Sequence, residues 1–544
     1  MSYRRDKLEF IKSPFQHPWW LPYGDGAPKP RTKDEWAVID VINLIIDKPD
    51  WITKFNQESI RNKWKQEIEL QLVATSTLVD NLLKLIFHNL QWIADTQAKI
   101  TPFKISVDDK IVYGDGLIDE TDKKIFIDQV NQLKSSFQHL DYHPNTNNQV
   151  IDLVHPSLYP LQYGVTPVFN DNTGEIEIHQ YDEKKVIAKL INDMFKSENF
   201  QWLPSLFTYD SSQNKFVINS YINNLHPIKF KPLYDSLQSI FNSVLPGLNY
   251  VLSRYASQEY IRISWDDWTY YNQEYQDKLQ AIYDNNEDDA EIDRLYDELD
   301  ETKLQYLIPP NIDFDGPITD HPIDLKTFEN IKVITKLADI ELTPENPTYN
   351  GGSWHVEGTI SEDIVATIIY YYDVENISES SLSFRTGFDD PQYEQGDNIF
   401  AEQVFGIADE QKMSRDLGLI KTIKDRILIF PNIFQHHVDP FQLKDKSKNG
   451  HRRILAFFVV DPHNPYVVST DKVPIQQQEW WNDGTNLLTQ EVMDKIKLLN
   501  PNLPQSLDEA KDVRVKLMAE RSAEVDEDDA YEHPFLRQFS LCEH

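Results

Sequence analysis

Four apolar runs in the second half of the chain constrain its fold more than any other feature. They are Ile331-Lys-Val-Ile-Thr-Lys-Leu-Ala-Asp-Ile-Glu-Leu, Ile364-Val-Ala-Thr-Ile-Ile-Tyr-Tyr-Tyr, Arg426-Ile-Leu-Ile-Phe and Arg453-Ile-Leu-Ala-Phe-Phe-Val-Val. Each is short and rich in β-branched and aromatic residues, the side chains that pack best on a pleated surface. Several such strands punctuated by turn residues predict an all-β barrel or jelly roll here.

The rest of the chain reads differently. From about Lys33 to Gln97 apolar residues recur at helical spacing, as in Trp36-Ala-Val-Ile-Asp-Val-Ile-Asn-Leu-Ile-Ile and in Leu70 to Ile93. Between Ile100 and Tyr181 short runs broken by Gly, Pro, Asn and Asp suggest strands and loops, and helix is expected again at Glu183–Lys196. Phe207–Tyr221 reads as a hairpin, Pro232–Tyr255 as an amphipathic helix and Asn285–Thr302 as a solvated acidic helix. After Pro465 the chain turns polar, with helix expected at Lys511–Glu524 and an acidic run over Glu524–Asp529. The predicted class is α+β: a helix-rich region with some strands over 1–324, a jelly-roll core over 325–470, and a helical acidic tail over 471–544 packing on it. A length of 544 residues suits two or three packed units.

Charge narrows the partners. The formal net charge is −35, from 53 Lys+Arg against 88 Asp+Glu, so the overall field repels phosphate backbones and anionic lipid surfaces. Nucleic acid and membrane are therefore not expected, and a neutral or cationic small molecule or protein segment is. One cysteine, Cys542, excludes an internal disulfide and a thiolate zinc cluster within one chain. Met1-Ser-Tyr-Arg-Arg-Asp-Lys leads into no apolar signal core, and no apolar run of membrane length follows, so the cytosol, or the nucleus, is the expected compartment.

The sharpest local feature is Tyr349-Asn-Gly-Gly-Ser-Trp-His-Val-Glu-Gly. A glycine turn delivers His355 and Glu357 at i and i+2, which on a strand share one face and converge on one ion. A non-haem iron oxygenase needs two histidines and a carboxylate on one side of the metal, with the opposite positions open. His139-Leu-Asp141 and His437-Val-Asp439 repeat the spacing but rank lower, the first lying outside the strand-rich region and the second lacking a downstream partner. The third element is Arg426-Ile-Leu-Ile-Phe-Pro-Asn-Ile-Phe-Gln-His-His-Val, a strand ending in a histidine pair. Adjacent strand residues face opposite ways, so one of His436 and His437 reaches a shared metal, and His436 is taken. Downstream, Gly450-His-Arg-Arg opens a strand with a guanidinium able to grip a carboxylate through two bonds. Plainer roles suit other residues: barrel wall for Tyr370-Tyr-Tyr, with one hydroxyl able to touch a co-substrate, packing beside the site for Trp354, and positions behind the ligands or at the surface for His451 and His463. For Arg385 a substrate anion and a salt bridge weigh equally.

These residues resemble the 2-oxoglutarate and Fe(II) dioxygenases, whose double-stranded β-helix carries His-x-acid, a distal His and then a basic residue. More closely, the chain resembles the largely fungal family named domain of unknown function 4246. That resemblance runs through Asp47-Lys-Pro-Asp-Trp, Gln201-Trp-Leu-Pro, Ser220-Tyr-Ile-Asn-Asn-Leu-His-Pro, Gly351-Gly-Ser-Trp-His-Val-Glu-Gly, Gly450-His-Arg-Arg and Phe539-Ser-Leu-Cys-Glu-His. It implies His355, Glu357 and His436 as iron ligands, 2-oxoglutarate as co-substrate, and Arg452 as its anchor with Arg453 the fallback. Glutamate stands where aspartate is commoner, one methylene longer. The implied activity is hydroxylation, or demethylation by hydroxylation. The alternatives are a cupin-like metalloenzyme without 2-oxoglutarate, told apart by the arginine, and a non-catalytic binding protein on the same fold.

Overall fold

The computed structural model describes residues 12–20, 27–72, 78–186, 197–265, 270–286, 288–393, 397–481, 483–485, 487–521 and 533–540. The strands of its second half that form the two principal sheets are β1 (Asn330–Leu342), β2 (Ile364–Glu375), β3 (Ser381–Gly387), β4 (Ser414–Lys421), β5 (Arg426–Pro431), β6 (Gln435–Val438) and β7 (Gly450–Val460). In the larger sheet the order is Lys104–Ser106, Asp108–Asp115, β5, β2, β7, β1, antiparallel at every pairing. The outer edge of β1 is shared between Ser205–Asp210, which continues to Lys215–Ile218, and Val150–Val154. The smaller sheet runs β4, β3, β6. Strands from before residue 325 and after it are thus hydrogen-bonded in one sheet.

Both faces of the large sheet are covered, which is why its strands read as continuous apolar runs without alternation. Nine successive residues of β2, Ile364 to Tyr372, are buried. On the outer face Phe457 meets Phe207 and Phe241, the latter from the helix Lys231–Ala256, with ring centroids 6.5 and 5.5 Å away. On the inner face Phe430 meets Phe384 of the small sheet at 5.0 Å. Register places inner-face side chains in rows: Ile334, Phe458, Thr367 and Phe430 form one, Lys336, Ala456, Ile369 and Leu428 the next, and Ile340 faces Arg452 further along.

The N-terminal helices form where the spacing predicts, at Lys33–Ile46, Trp51–Phe55, Glu58–Leu72 and Val79–Lys99, with residues 73–77 of the Leu70–Ile93 stretch outside the described residues. The hairpin, the helix Lys231–Ala256 and the acidic helix Asp289–Asp300 are also present. One expectation is corrected: Glu120–Ser135, inside the stretch read as strands and loops, is a helix. Asp119 caps it by accepting the Thr121 N–H at 2.8 Å, and Phe126 lies against Tyr370 and Tyr372 on the sheet's outer face. Its stabilisation is tertiary, from one buried stripe in an otherwise charged helix. β3 and β4 were not expected as strands, because the exposed face of the small sheet interrupts their apolar residues with Ser, Arg and Asp. Of the helix expected at Glu183–Lys196 the described part is Glu183–Val186, and the tail helix is Leu507–Arg521. The run Glu524–Asp529 and Cys542 lie outside the described residues. Among the described residues no helix is long and apolar enough to cross a membrane. The architecture is a mixed α+β fold around a large antiparallel sheet.

Candidate metal centre

His355 and His436 form a single antiparallel bridge, His355 N–H donating to His436 O at 3.1 Å and His436 N–H to His355 O at 2.9 Å. The regular strand expected through His355 and Glu357 is reduced to that one bridged residue. Glu357 still turns inward because Asn432 clamps its backbone. The Glu357 N–H donates to Asn432 Oδ1 at 2.9 Å, and Asn432 Nδ2 donates to Glu357 O at 2.8 Å and Ile364 O at 3.1 Å. The preceding turn requires glycine: Gly351 has φ +92°, and a Cβ there would stand 2.7 Å from Val438 O.

Glu357 Oε1 lies 3.7 Å from His355 Nε2 and 3.5 Å from His436 Nε2. Ligands at right angles with bonds of about 2.1 Å stand about 3 Å apart, so a small contraction brings all three onto one ion. His436 is buried, Glu357 nearly so, and His355 is 45% exposed, which leaves the centre open on one side. His355 Nδ1 is 2.8 Å from Ser353 O, which can only accept, so Nδ1 carries a proton and Nε2 is the atom turned toward Glu357. Burial works to raise the Glu357 carboxyl, yet the two histidines beside it hold it well below the usual carboxylate range. His436 is pushed down to about 4 by burial and by the neighbouring His355, while Glu357 outweighs burial at His355 and raises it. The set therefore presents an anion and a neutral imidazole, the protonation states a metal needs.

Arg452 faces inward and is 1% exposed. Its guanidinium carbon lies 5.4 Å from the Tyr371 ring and 5.1 Å from the Phe441 ring. Its one side-chain hydrogen bond among the described residues is long, Nη1 to Thr422 Oγ1 at 3.4 Å, and Nε has no partner. Burial lowers its pKa. Arg453 faces outward, with Nε 3.5 Å from Asp339, Nη1 3.7 Å from Asp373 and a bond to Asn131 Oδ1 at 3.0 Å. The fallback anchor therefore sits beside two acids on the other side of the sheet from Arg452.

A family model described as a protein of unknown function, DUF4246, matches residues 80–484, and a second, for the N-terminal domain of DUF4246, matches residues 3–67. The chain belongs to the DUF4246 family. No curated protein matches this DUF4246 chain. Among solved structures, the Fe(II)/α-ketoglutarate-dependent dioxygenase TqaL is similar over 69% of this chain and 89% of its own, at 9% identity and a TM-score of 0.28. A BsmA homologue from Methylobium petroleophilum is similar over 62% and 85%, at 7% identity and a TM-score of 0.22. IDO from Bacillus thuringiensis is similar over 32% and 60%, at 12% identity and a TM-score of 0.17. Likenesses with scores this low carry no argument about the site.

The other conspicuous residues of the DUF4246 chain take structural positions. His437 turns away from the centre, Nε2 3.3 Å from Asp439 and its ring 4.1 Å from that of Trp354. Arg385 stacks on Trp354 at 4.7 Å and donates Nε to Gln435 Oε1 at 2.6 Å, with no carboxylate at salt-bridge distance among the described residues. Tyr370 and Tyr372 donate to Asp425 and Asp339 at 2.8 and 3.2 Å, whereas the buried Tyr371 hydroxyl has no partner among the described residues. His451 pairs with Asp373 at 2.7 Å and His463 with Asp461 at 3.0 Å. Sequence reasoning missed Asn432 and Thr422, whose only signal was a polar residue beside an apolar strand. It also missed a second group, His143, Asp152 and His155, whose ligand-type atoms lie within 4.8 Å of one another. Of the pair ranked low, Asp141 accepts from Arg514 at 2.7 Å.

Proposed function

We propose that the protein is an Fe(II)- and 2-oxoglutarate-dependent oxygenase that hydroxylates, or demethylates by hydroxylation, its substrate. The observation that carries this is Arg452. A guanidinium out of water without a counter-ion is held at a cost of several kcal/mol, and a carboxylate ligand removes that cost. A dicarboxylate whose other end chelates a metal at His355, Glu357 and His436 satisfies both groups at once. The strand order supports a double-stranded β-helix, with β1, β7, β2 and β5 in one sheet and β6, β3 and β4 in the other. On this reading 325–470 is the catalytic core, on which 1–324 and 471–544 pack.

Two histidines and one carboxylate on one side of the ion leave the opposite side for co-substrate and O₂. Iron held there supplies O₂ activation coupled to decarboxylation of 2-oxoglutarate to succinate. The chain's own residues do the rest. Glu357 offsets two units of metal charge by one, and Ser353 O and the Asn432 clamp fix the orientation of His355 and Glu357. Arg452 grips the distal carboxylate beside the Thr422 hydroxyl, with Tyr371 and Phe441 excluding water around it. The test is calorimetry on purified protein with Fe(II), then with 2-oxoglutarate under argon, followed by succinate measurement in air. About one Fe(II) per chain, 2-oxoglutarate binding that depends on it, and slow succinate formation without substrate are expected. Metal binding without 2-oxoglutarate binding overturns this assignment in favour of a cupin-like metalloenzyme.

A further inference from the structure

Lys336 stands on the inner face of β1, opposite Ala456 and in one row with Ile369 and Leu428. The adjacent row carries Phe430, whose ring is 4.9 Å from that of His436. This lysine is half-buried, and among the described residues it makes no hydrogen bond and no ion pair. The acid that feels its charge, Asp152, is engaged through one oxygen, Oδ2, which lies 2.9 Å from His143 Nδ1 and 3.3 Å from Arg514 Nη1, and among the described residues neither Asp152 oxygen is within ion-pair distance of Lys336. Other lysines of the same region are satisfied, Lys332 by the Asn464 and Pro465 carbonyls and Lys134 by Asp339 and Glu341. Lys336 is set apart from Arg452 as well. Ile340, the residue facing Arg452, stands four positions further along β1, a span of about 13 Å along a strand.

Among the described residues the inner face thus carries two cations without an ion pair, at different heights, and one dicarboxylate held at Arg452 and the metal answers to only one of them. We propose that Lys336 is a substrate-positioning residue that binds the carboxylate of a small carboxylic acid and holds it beside the metal centre. This rests on the oxygenase reading for its consequence, since the acid so held is the molecule to be oxidised. It also departs from the expectation of a neutral or cationic substrate. Net charge acts on approach, over a screening length of about 8 Å in physiological salt. A half-buried ammonium acts at contact, where it is screened least, and there the sign is positive.

The test is calorimetry on the full chain, metal-free and with Fe(II) plus saturating 2-oxoglutarate under argon. The probes are acetate, benzoate, indole-3-acetate and N-acetylglycine, each against its primary amide. At least one carboxylate binds the wild type with a Kd of about 1 mM or tighter while its amide does not. Lys336→Met weakens that carboxylate by roughly tenfold or more, Lys336→Arg keeps it, and the melting temperature and the 2-oxoglutarate Kd stay as in the wild type. The proposal is overturned if no carboxylate binds, if the amides bind equally, if Lys336→Met leaves the affinity within twofold, or if it weakens 2-oxoglutarate instead. Probe binding through Lys336 in protein that takes up no 2-oxoglutarate would sink the oxygenase reading and leave this subsite standing.

Discussion

Replacing Arg452 by methionine separates a ligand anchor from a structural ion pair, because the two roles predict opposite effects on the free protein. The side chain is 1% exposed, makes one hydrogen bond of 3.4 Å among the described residues, and lies over two aromatic rings. Cation–π contacts of that kind are worth about 0.5–2 kcal/mol each, against a desolvation cost of several kcal/mol for an unpaired buried charge. Methionine fills similar volume and needs no partner, so the unliganded variant is expected to be as stable as the wild type or more stable, within about 1 kcal/mol. Ligand binding moves the other way. A carboxylate gripped by a guanidinium fork gains on the order of 2–4 kcal/mol over an uncharged contact, which makes the variant's 2-oxoglutarate Kd about 30 to 1,000 times weaker. Urea unfolding of metal-free protein reads the first quantity and anaerobic calorimetry with Fe(II) the second, while Fe(II) stoichiometry stays at one. Strong destabilisation of the free variant with an unchanged 2-oxoglutarate Kd would refute the reasoning, since it would make Arg452 part of the scaffold.

Three further outcomes are set by the geometry. His355→Ala, Glu357→Ala or His436→Ala abolishes tight Fe(II) binding with the circular dichroism spectrum unchanged, whereas His437→Ala, at a residue turned toward Asp439, leaves the metal in place; the reverse result for the two neighbouring histidines would reverse the strand phase. Stability of the metal-free protein falls as pH drops below about 6.5, because burial pushes His155 down to about 3 and His533 down to about 4. The unfolded chain takes up those protons first, at about 1.4 kcal/mol per pH unit for each histidine until its folded pKa is reached, and a flat urea midpoint between pH 6.5 and 5 would contradict this. Single- and double-stranded oligonucleotides at physiological salt do not bind in the submicromolar range, as fluorescence anisotropy will show, since 53 basic residues face 88 acidic ones.

What the sequence determined by itself was whatever depends on local pattern. The long strands β1, β2, β5 and β7 were legible because a sheet buried on both faces writes itself as an unbroken apolar run. His355, Glu357 and the histidine pair were legible because a glycine turn and an i, i+2 spacing are local statements about direction. The choice of His436 over His437 agrees with the face the structure turns toward Glu357, although alternation alone only required that one of them point there. The tertiary structure decided everything that depends on what a side chain meets. Arg452 and Arg453 are equal cations in sequence, and only the register against Ile340 and Asp339 puts one inside, with no ion pair among the described residues, and the other outside among acids. Helix Glu120–Ser135 and strands β3 and β4 were obscured because half of each faces solvent, so their identity comes from partners distant in the chain. Asn432, Thr422 and Lys336 carry no motif at all. Their importance lies in hydrogen bonds made or left unmade between the sheets, a property of packing that no local window of residues contains.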